Sequence, residues 1–583
     1  MPPDLVIRNG TLADGTGGPM SRADVAVEGA RITQVGGDIG PGRREFDAGG
    51  LLVTPGFVDP HTHYDGQATW DPLLAPSAHH GVTTAAMGNC GVGFAPVAPG
   101  RHDWLIAMME GVEDIPGTAL HEGLQWDWGT FPEYLDALER QPRALDVGAH
   151  VPHAALRAFV MGERGADPSQ HPDQGELDAM ARLLHQGLEA GGIGVSTSRT
   201  ERHRTSEGQN LGTLRAREPE LLALASVLRA RGSGVFQVLS DCYRTTDDAF
   251  AQAEFDLLSE FARASRRPIS YTVQQDGEAP ERWRDLMALA EKLVAEGLDV
   301  KAQVAPRPIG VLLGLEASVN VFTPTRGYQG IAGLPLNEKM AALRDPALRQ
   351  RILEGHADVT SGPDAFAGYA FFARFDEMYV LDDPVDYDLD ASRSLGALAR
   401  RAGVDPRHYA FDVQLQRGGH QLIYTPMFNF THANFDAIRE MITSPVAMFG
   451  LSDAGAHCGQ ICDGSMTTSF LSIWGRDRRD RDGVPVEAVV HQITQRTAAH
   501  FGWLDRGVVA PGYLADLNVI DLDELGCAPP RITADLPAGG RRLLQGARGY
   551  RWTLKRGTVT FEDGAHTGEL PGALVRGTQP SPP

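Results

Sequence analysis

Between two β-rich ends this chain alternates short apolar runs with helical stretches, and no other feature restricts its fold so tightly. The runs GVTTAAMGN, LDVGAHV, GIGVSTS, GVFQVLS, RPISYTV, LDVKAQVA and AMFGLSD read as buried strands. Stretches between them, such as GELDAMARLLHQGLEAG and EPELLALASVLRARG, keep helical spacing and end at glycine. Strand alternating with helix predicts an α/β chain with a parallel sheet. The run LLVTPGFVDP brings the strand count to eight, which suits a closed (β/α)8 barrel over residues 55–506. An open doubly wound sheet is the alternative. Residues 306–440, rich in proline and aromatic side chains, break the count and read as an insertion over the barrel mouth.

The ends have a different texture. DLVIRNGTLAD, ADVAVEGARITQVGG and GGLLVTPG are short β-rich pieces separated by glycine turns, and APGYLADLNVIDLDEL and YRWTLKRGTVTFEDG repeat the pattern late in the chain. Neither set has enough strands to stand alone, so residues 1–54 with 507–570 are expected to form one small β-sandwich. Residues 571–583, ending GTQPSPP, are expected to be a disordered tail.

Charge narrows the partners. Lysine and arginine number 53 against 75 acidic residues, a net charge of −22 that repels nucleic acid and anionic membrane. A small-molecule substrate is the expected partner, and a homo-oligomer is left open. Five scattered cysteines do not form a disulfide framework. The start of the chain lacks the pattern of a signal peptide, and no apolar run approaches the ~20 residues that span a bilayer. The expected location is cytoplasmic.

Within the first barrel strand's end, GFVDPHTHYDG places His61 and His63 at i and i+2, on one face of an extended chain. Chance alone would give roughly 0.6 such pairs from 19 histidines in 583 residues, so position carries the argument. The pair follows a strand where active-site ligands of this architecture belong. Asp453, in FGLSDAGAHCGQICDG, ends the last strand and would face the pair across a closed barrel; the bland alternative makes it a helix N-cap. Cys90, in GVTTAAMGNCGVGFAP, is either a thiolate ligand or inert packing.

Taken in order, HTHYD, MGNCG, HAALRAFVMG, GIGVSTS, the late SD and APGYLADLNVID resemble the N-acyl-D-amino-acid deacylases, the D-aminoacylases of the amidohydrolase superfamily. The resemblance implies a metal-dependent hydrolase barrel, a β-sandwich from both termini, and zinc-dependent cleavage of a non-peptide carbon–nitrogen bond. It implies His61, His63 and Cys90 as zinc ligands and Asp453 as ligand and general base. The chain also departs from that pattern. The fifth and sixth strands, GVFQVLSDC and PISYTVQQDG, lack the family's histidines, and the lysine that accompanies the second is absent. Gln237 and Gln274 or Gln275 stand near those places. One zinc ion is therefore expected rather than two.

A metal ion can polarise an amide carbonyl and supply an activated water, and a nearby carboxylate can shuttle the proton. Asp453 is the candidate. Four protein ligands on one tetrahedral zinc would close the site, so Cys90 must be distant, Asp453 bind loosely or the coordination expand to five. His153, His203 and His457 are expected to touch the metal's ligands or the substrate, with Gln237 and Gln274. Loss of the lysine feeds a second reading, a cyclic amide or lactone hydrolase on the same barrel. A third is a non-catalytic binding protein. Arg199, Arg204, Arg244 and Arg307 are guanidinium groups of a kind that grips a substrate carboxylate, and the sequence assigns none of them.

Overall fold

The computed structural model describes residues 2–361 and 367–583. Two all-parallel ladders form its centre. In the first, Val82–Met87 lies between Phe57–Asp59 and Asp146–Ala149. The second runs Val151–Pro152, Gly194–Arg199, Val235–Ser240, Ile269–Thr272, Val300–Val304 and Ala447–Phe449 in spatial order. The seams between them are bonded as well. His150 N donates to Met87 O at 2.9 Å, Ile193 N donates to Ala149 O at 3.0 Å, and Thr62 pairs in parallel with Ala454. Every residue of Val82–Met87 is buried, which is why that run reads as continuously apolar rather than alternating.

Helices connect successive strands. Gln174–Glu189 starts at a capping box, with Asp173 accepting from the Glu176 amide and the Glu176 side chain accepting from the Asp173 amide. It buries Met180, Leu184 and Leu188, one face at i, i+4 and i+8. Full burial of such a side chain contributes about 1.5–3 kcal/mol. Glu218–Arg231 ends at Gly232 with φ of 64°, a left-handed C-cap.

Both chain ends enter one nine-stranded mixed sheet. Leu52–Pro55 joins them: it runs parallel to Leu5–Leu12 and antiparallel to Leu517–Ile520, with Val53 opposite Val519. Their apolar side chains, including Ile7, Val25, Val53, Leu517 and Leu554, share one cluster.

Within the expected insertion, residues 362–366 lie outside the described residues. The rest contains a three-stranded antiparallel sheet, Ile309–Leu313, Ile423–Phe428 and Tyr379–Val380, and helices that pack around a core of their own with Phe322, Ile352, Leu395 and Phe411. No helix among the described residues is long and apolar enough to cross a membrane.

The tail departs from expectation. Instead of disorder, residues 571–583 are bonded to one parallel strand and two helix-end turns: Val575 N donates to Val147 O, Gly577 N to Gly191 O and Gln579 N to Gly502 O, at 2.7–2.8 Å. Ala573 N donates to Asp146, and Arg576 pairs with Asp136 and Glu139. Composition reports that a segment has little apolar surface of its own; it does not report that unpaired backbone groups elsewhere await it.

Candidate metal centre

His61 leaves the end of Phe57–Asp59 with its backbone N–H held by Asp59 at 3.1 Å. Its Nδ1 lies 2.6 Å from Gln303 Oε1, on the buried strand Val300–Val304. Gln303 donates its amide N–H to Ser270 Oγ, which fixes its carbonyl on the imidazole. The proton therefore belongs on Nδ1 of His61, and the lone pair on Nε2. His63 is equally buried, with Nδ1 3.3 Å from Glu113 Oε1. Neither atom has a hydrogen-bonding partner.

Cys90 sits in a one-turn loop with a left-handed backbone, φ 56°. Gly88 and Gly91 beside it also have positive φ, and a Cβ on Gly91 would meet Thr197 Cα at 2.9 Å. Tight glycine packing thus presses the loop onto the neighbouring strand. Gln237 accepts from the Cys90 amide at 2.8 Å, and Cys90 Sγ lies 3.4 Å from His61 Nε2. Asp453, φ 45°, places Oδ1 3.3 Å from His61 Nε2 and 3.6 Å from His63 Nε2. No helix starts at Asp453, so it is not an N-cap; the next helical turn begins at Asp463.

The donor atoms of His61, His63 and Cys90 all fall within 4.8 Å of one another, and Asp453 borders that group. Burial pushes the His63 imidazole down to about 4, leaving it neutral. Burial also opposes ionisation of Asp453, but the facing His63 and His61 imidazoles overcome it and hold the carboxyl well below its usual range. Burial, with nearby carboxylates, raises the Cys90 thiol and Glu113 well above their ordinary values. A divalent cation among these donors opposes both shifts. A cation fits this donor set, two imidazoles, a thiol and a carboxylate around a buried point.

These residues form the floor of a cavity of about 460 Å³. His203 and His457 line it. His203 Nδ1 bonds Ser198 Oγ at 2.8 Å, and His457 Nε2 stands 3.8 Å from Glu113 Oε2. Gln274 lines it too, with its buried Oε1 unpartnered, as is Oγ1 of Thr272. Gln237 is held behind Cys90. His153 is a correction. It is fully buried away from the cavity lining, bonded to Thr197 at 2.8 Å and to Glu220 at 2.9 Å, and Glu220 also pairs with Arg157. A histidine that opens a helix straight after a strand met a buried carboxylate rather than the cavity.

Three residues escaped the sequence reading. Gln303 was detectable as a polar side chain within an apolar strand. Glu113, at the end of helix His102–Glu113, gave no local signal. Arg202, which lines the cavity, was hidden among neighbouring arginines.

Residues 44–561 match the amidohydrolase family. The chain belongs to that family. Within this amidohydrolase's relatives, a D-aminoacylase of Alcaligenes xylosoxydans xylosoxydans is 36% identical, over 99% of this chain and 98% of its own length. That similarity places the chain in the D-aminoacylase group. An N-acyl-D-glutamate deacylase of the same organism is 29% identical, covering 98% of this amidohydrolase and 96% of the relative. The solved N-acyl-D-glutamate deacylase of Bordetella bronchiseptica, complexed with zinc and a phosphonate inhibitor, shares the fold with a TM-score of 0.63 at 24% identity, covering 99% of this chain and all of that one.

Proposed function

We propose that this amidohydrolase removes the acyl group from an N-acyl amino acid, using one zinc ion held by His61, His63 and Cys90 with Asp453 at its edge. The convergence of those donors on one cavity floor carries the reading. Asp453 Oδ1 lies 3.3 Å from His61 Nε2, and loose binding by this fourth group would keep the site open for water. When bound, zinc would polarise the amide carbonyl and acidify water.

The chain's own residues supply the rest. Gln303 orients the His61 imidazole, Glu113 faces His63 Nδ1 at 3.3 Å, and Gln237 orients the Cys90 loop. Asp453 accepts the proton of the attacking water and returns it to the departing amine nitrogen. Thr272 and Gln274 offer their unpartnered oxygens to substrate N–H or O–H groups, in the strand where the family's sixth-strand histidine would stand. Ile309, Val311 and Phe428 of the antiparallel sheet cover the cavity and exclude water.

The same reading takes the two parallel ladders as one closed (β/α)8 barrel over residues 55–506. Residues 306–440 are its cover, and 1–54 with 507–570 are the small sandwich. All five cysteines are free and buried, which supports a reducing, cytoplasmic location.

Elemental analysis of the purified, zinc-replete protein should find about one zinc per chain. The same protein should hydrolyse N-acyl-D-amino acids in a screen that includes L-enantiomers, cyclic imides and lactones. Turnover confined to imides or lactones would overturn the deacylase reading; turnover without bound metal would overturn the zinc site.

A further inference from the structure

We infer that Arg202 is the counter-ion for the substrate's carboxylate, and so sets this enzyme's preference for acids over neutral amides. The inference rests on the deacylase reading above and assigns a residue to it. Among the described residues lining the cavity, Arg202 is the only lysine or arginine. It shares that cavity with the metal donors, so a ligand with its amide at the donors and an anionic group nearby meets this guanidinium and no other.

The other arginines are spent. Arg199 grips Glu254 through two bonds of 2.6–2.8 Å and also donates to Ala216 O. Arg307 is fully buried against Asp463 at 2.9 Å. Arg244 is held by Glu278 at 2.9 Å and faces Asp276 at 3.6 Å. Arg204 donates to the carbonyls of Glu201 and Gly208. Arg202 makes one side-chain hydrogen bond, 3.3 Å to Asp276, and its guanidinium lies 4.9 Å over the Phe428 ring. Its remaining N–H donors are uncommitted, on a side chain 39% exposed. Asp276 is shared with Arg244, so it orients Arg202 without neutralising it.

The geometry is also pre-set. Arg202 N donates to Thr200 Oγ1, and Asp241 on the adjoining strand end accepts from Thr200 Oγ1 at 2.6 Å and from the Glu201 amide at 2.8 Å. Stacking on Phe428 occupies one face of the guanidinium and leaves its edge for the fork that matches a carboxylate in two parallel bonds.

The test compares N-acetyl-D-leucine with its carboxamide as substrates for the zinc-loaded wild type, Arg202→Gln and Arg202→Lys, following acetate release. Arg202→Gln should raise KM for the acid by about 10- to 100-fold, with a smaller change in kcat. The acid-to-carboxamide ratio of kcat/KM should fall by the same order. Arg202→Lys should fall between wild type and Arg202→Gln, because it keeps the charge and loses the fork. Equal losses on both substrates, or an unchanged ratio, would overturn the assignment while the deacylase reading stands. If wild type hydrolyses neither the acid nor any other N-acyl amino acid, the deacylase reading fails first and Arg202's role falls with it. Circular dichroism and zinc content of the variants separate either result from misfolding.

Discussion

Two buried clusters of charge in this protein have opposite characters. Around Asp146, Arg506 at 2.7 Å, Lys555 at 2.9 Å and Arg556 at 3.2 Å surround one carboxylate, and the Ala573 amide completes its shell. Lys555 also reaches Asp516 at 2.6 Å. Around His61 and His63 the count does not close: His63 Nδ1, Glu113 Oε1, Gln274 Oε1 and Thr272 Oγ1 are buried without hydrogen-bonding partners. Asp453 and His457 there hold strained left-handed backbones. A satisfied cluster ties elements together; an unsatisfied one is set up for something that arrives from outside.

Mutations should separate the two. Asp453→Ala should lower kcat by about 10²–10⁴-fold with little change in melting temperature, and a rate near wild type would remove it from the mechanism. Asp146→Ala strands three cations and should cost about 3–5 kcal/mol in denaturant titration, with turnover per folded molecule intact. A drop in kcat at full folding would blur the distinction. Glu113→Gln sits between the two kinds of effect: it should weaken zinc affinity about 10- to 100-fold in competition with a chelator, and unchanged affinity would leave Glu113 a packing residue. Deleting residues 571–583 should give the smallest effect, a loss of about 1–3 kcal/mol, since it removes a few backbone bonds and the Arg576 pairs. No measurable loss would mean the tail rides on the fold without supporting it.

The legible parts of this site were those encoded locally. His61 and His63 stand two apart at a strand end, and Cys90 and Asp453 follow apolar runs, so the sequence puts all four at strand ends, although left-handed loop backbone aims the last two. Glu113 and Gln303 meet those histidines only through tertiary packing, from 242 residues along the chain in Gln303's case, and no short window contains the pair. Gln237, expected near the metal, is near it but serves the Cys90 backbone. His153 shows the reverse failure: its motif was clear, and the partner that claimed it, Glu220, was too far along the chain to suggest itself. For the fold, the strand–helix alternation and the kinship of the two ends were readable. The tail was not, because its partners lie on a surface that sequence composition does not describe.

The pairing of Leu52–Pro55 with Leu517–Ile520 has a consequence for biosynthesis. Leu52–Pro55, the strand before the one that leads into His61, has Leu5–Leu12 on one edge from the start but gains its second neighbour only when nearly the whole polypeptide has left the ribosome. The central strands and helices can assemble during translation, but the second edge of this strand is fastened last. Chains that stall or are clipped before residue 517 therefore keep most of their core, with one edge of Leu52–Pro55 left open to other partners.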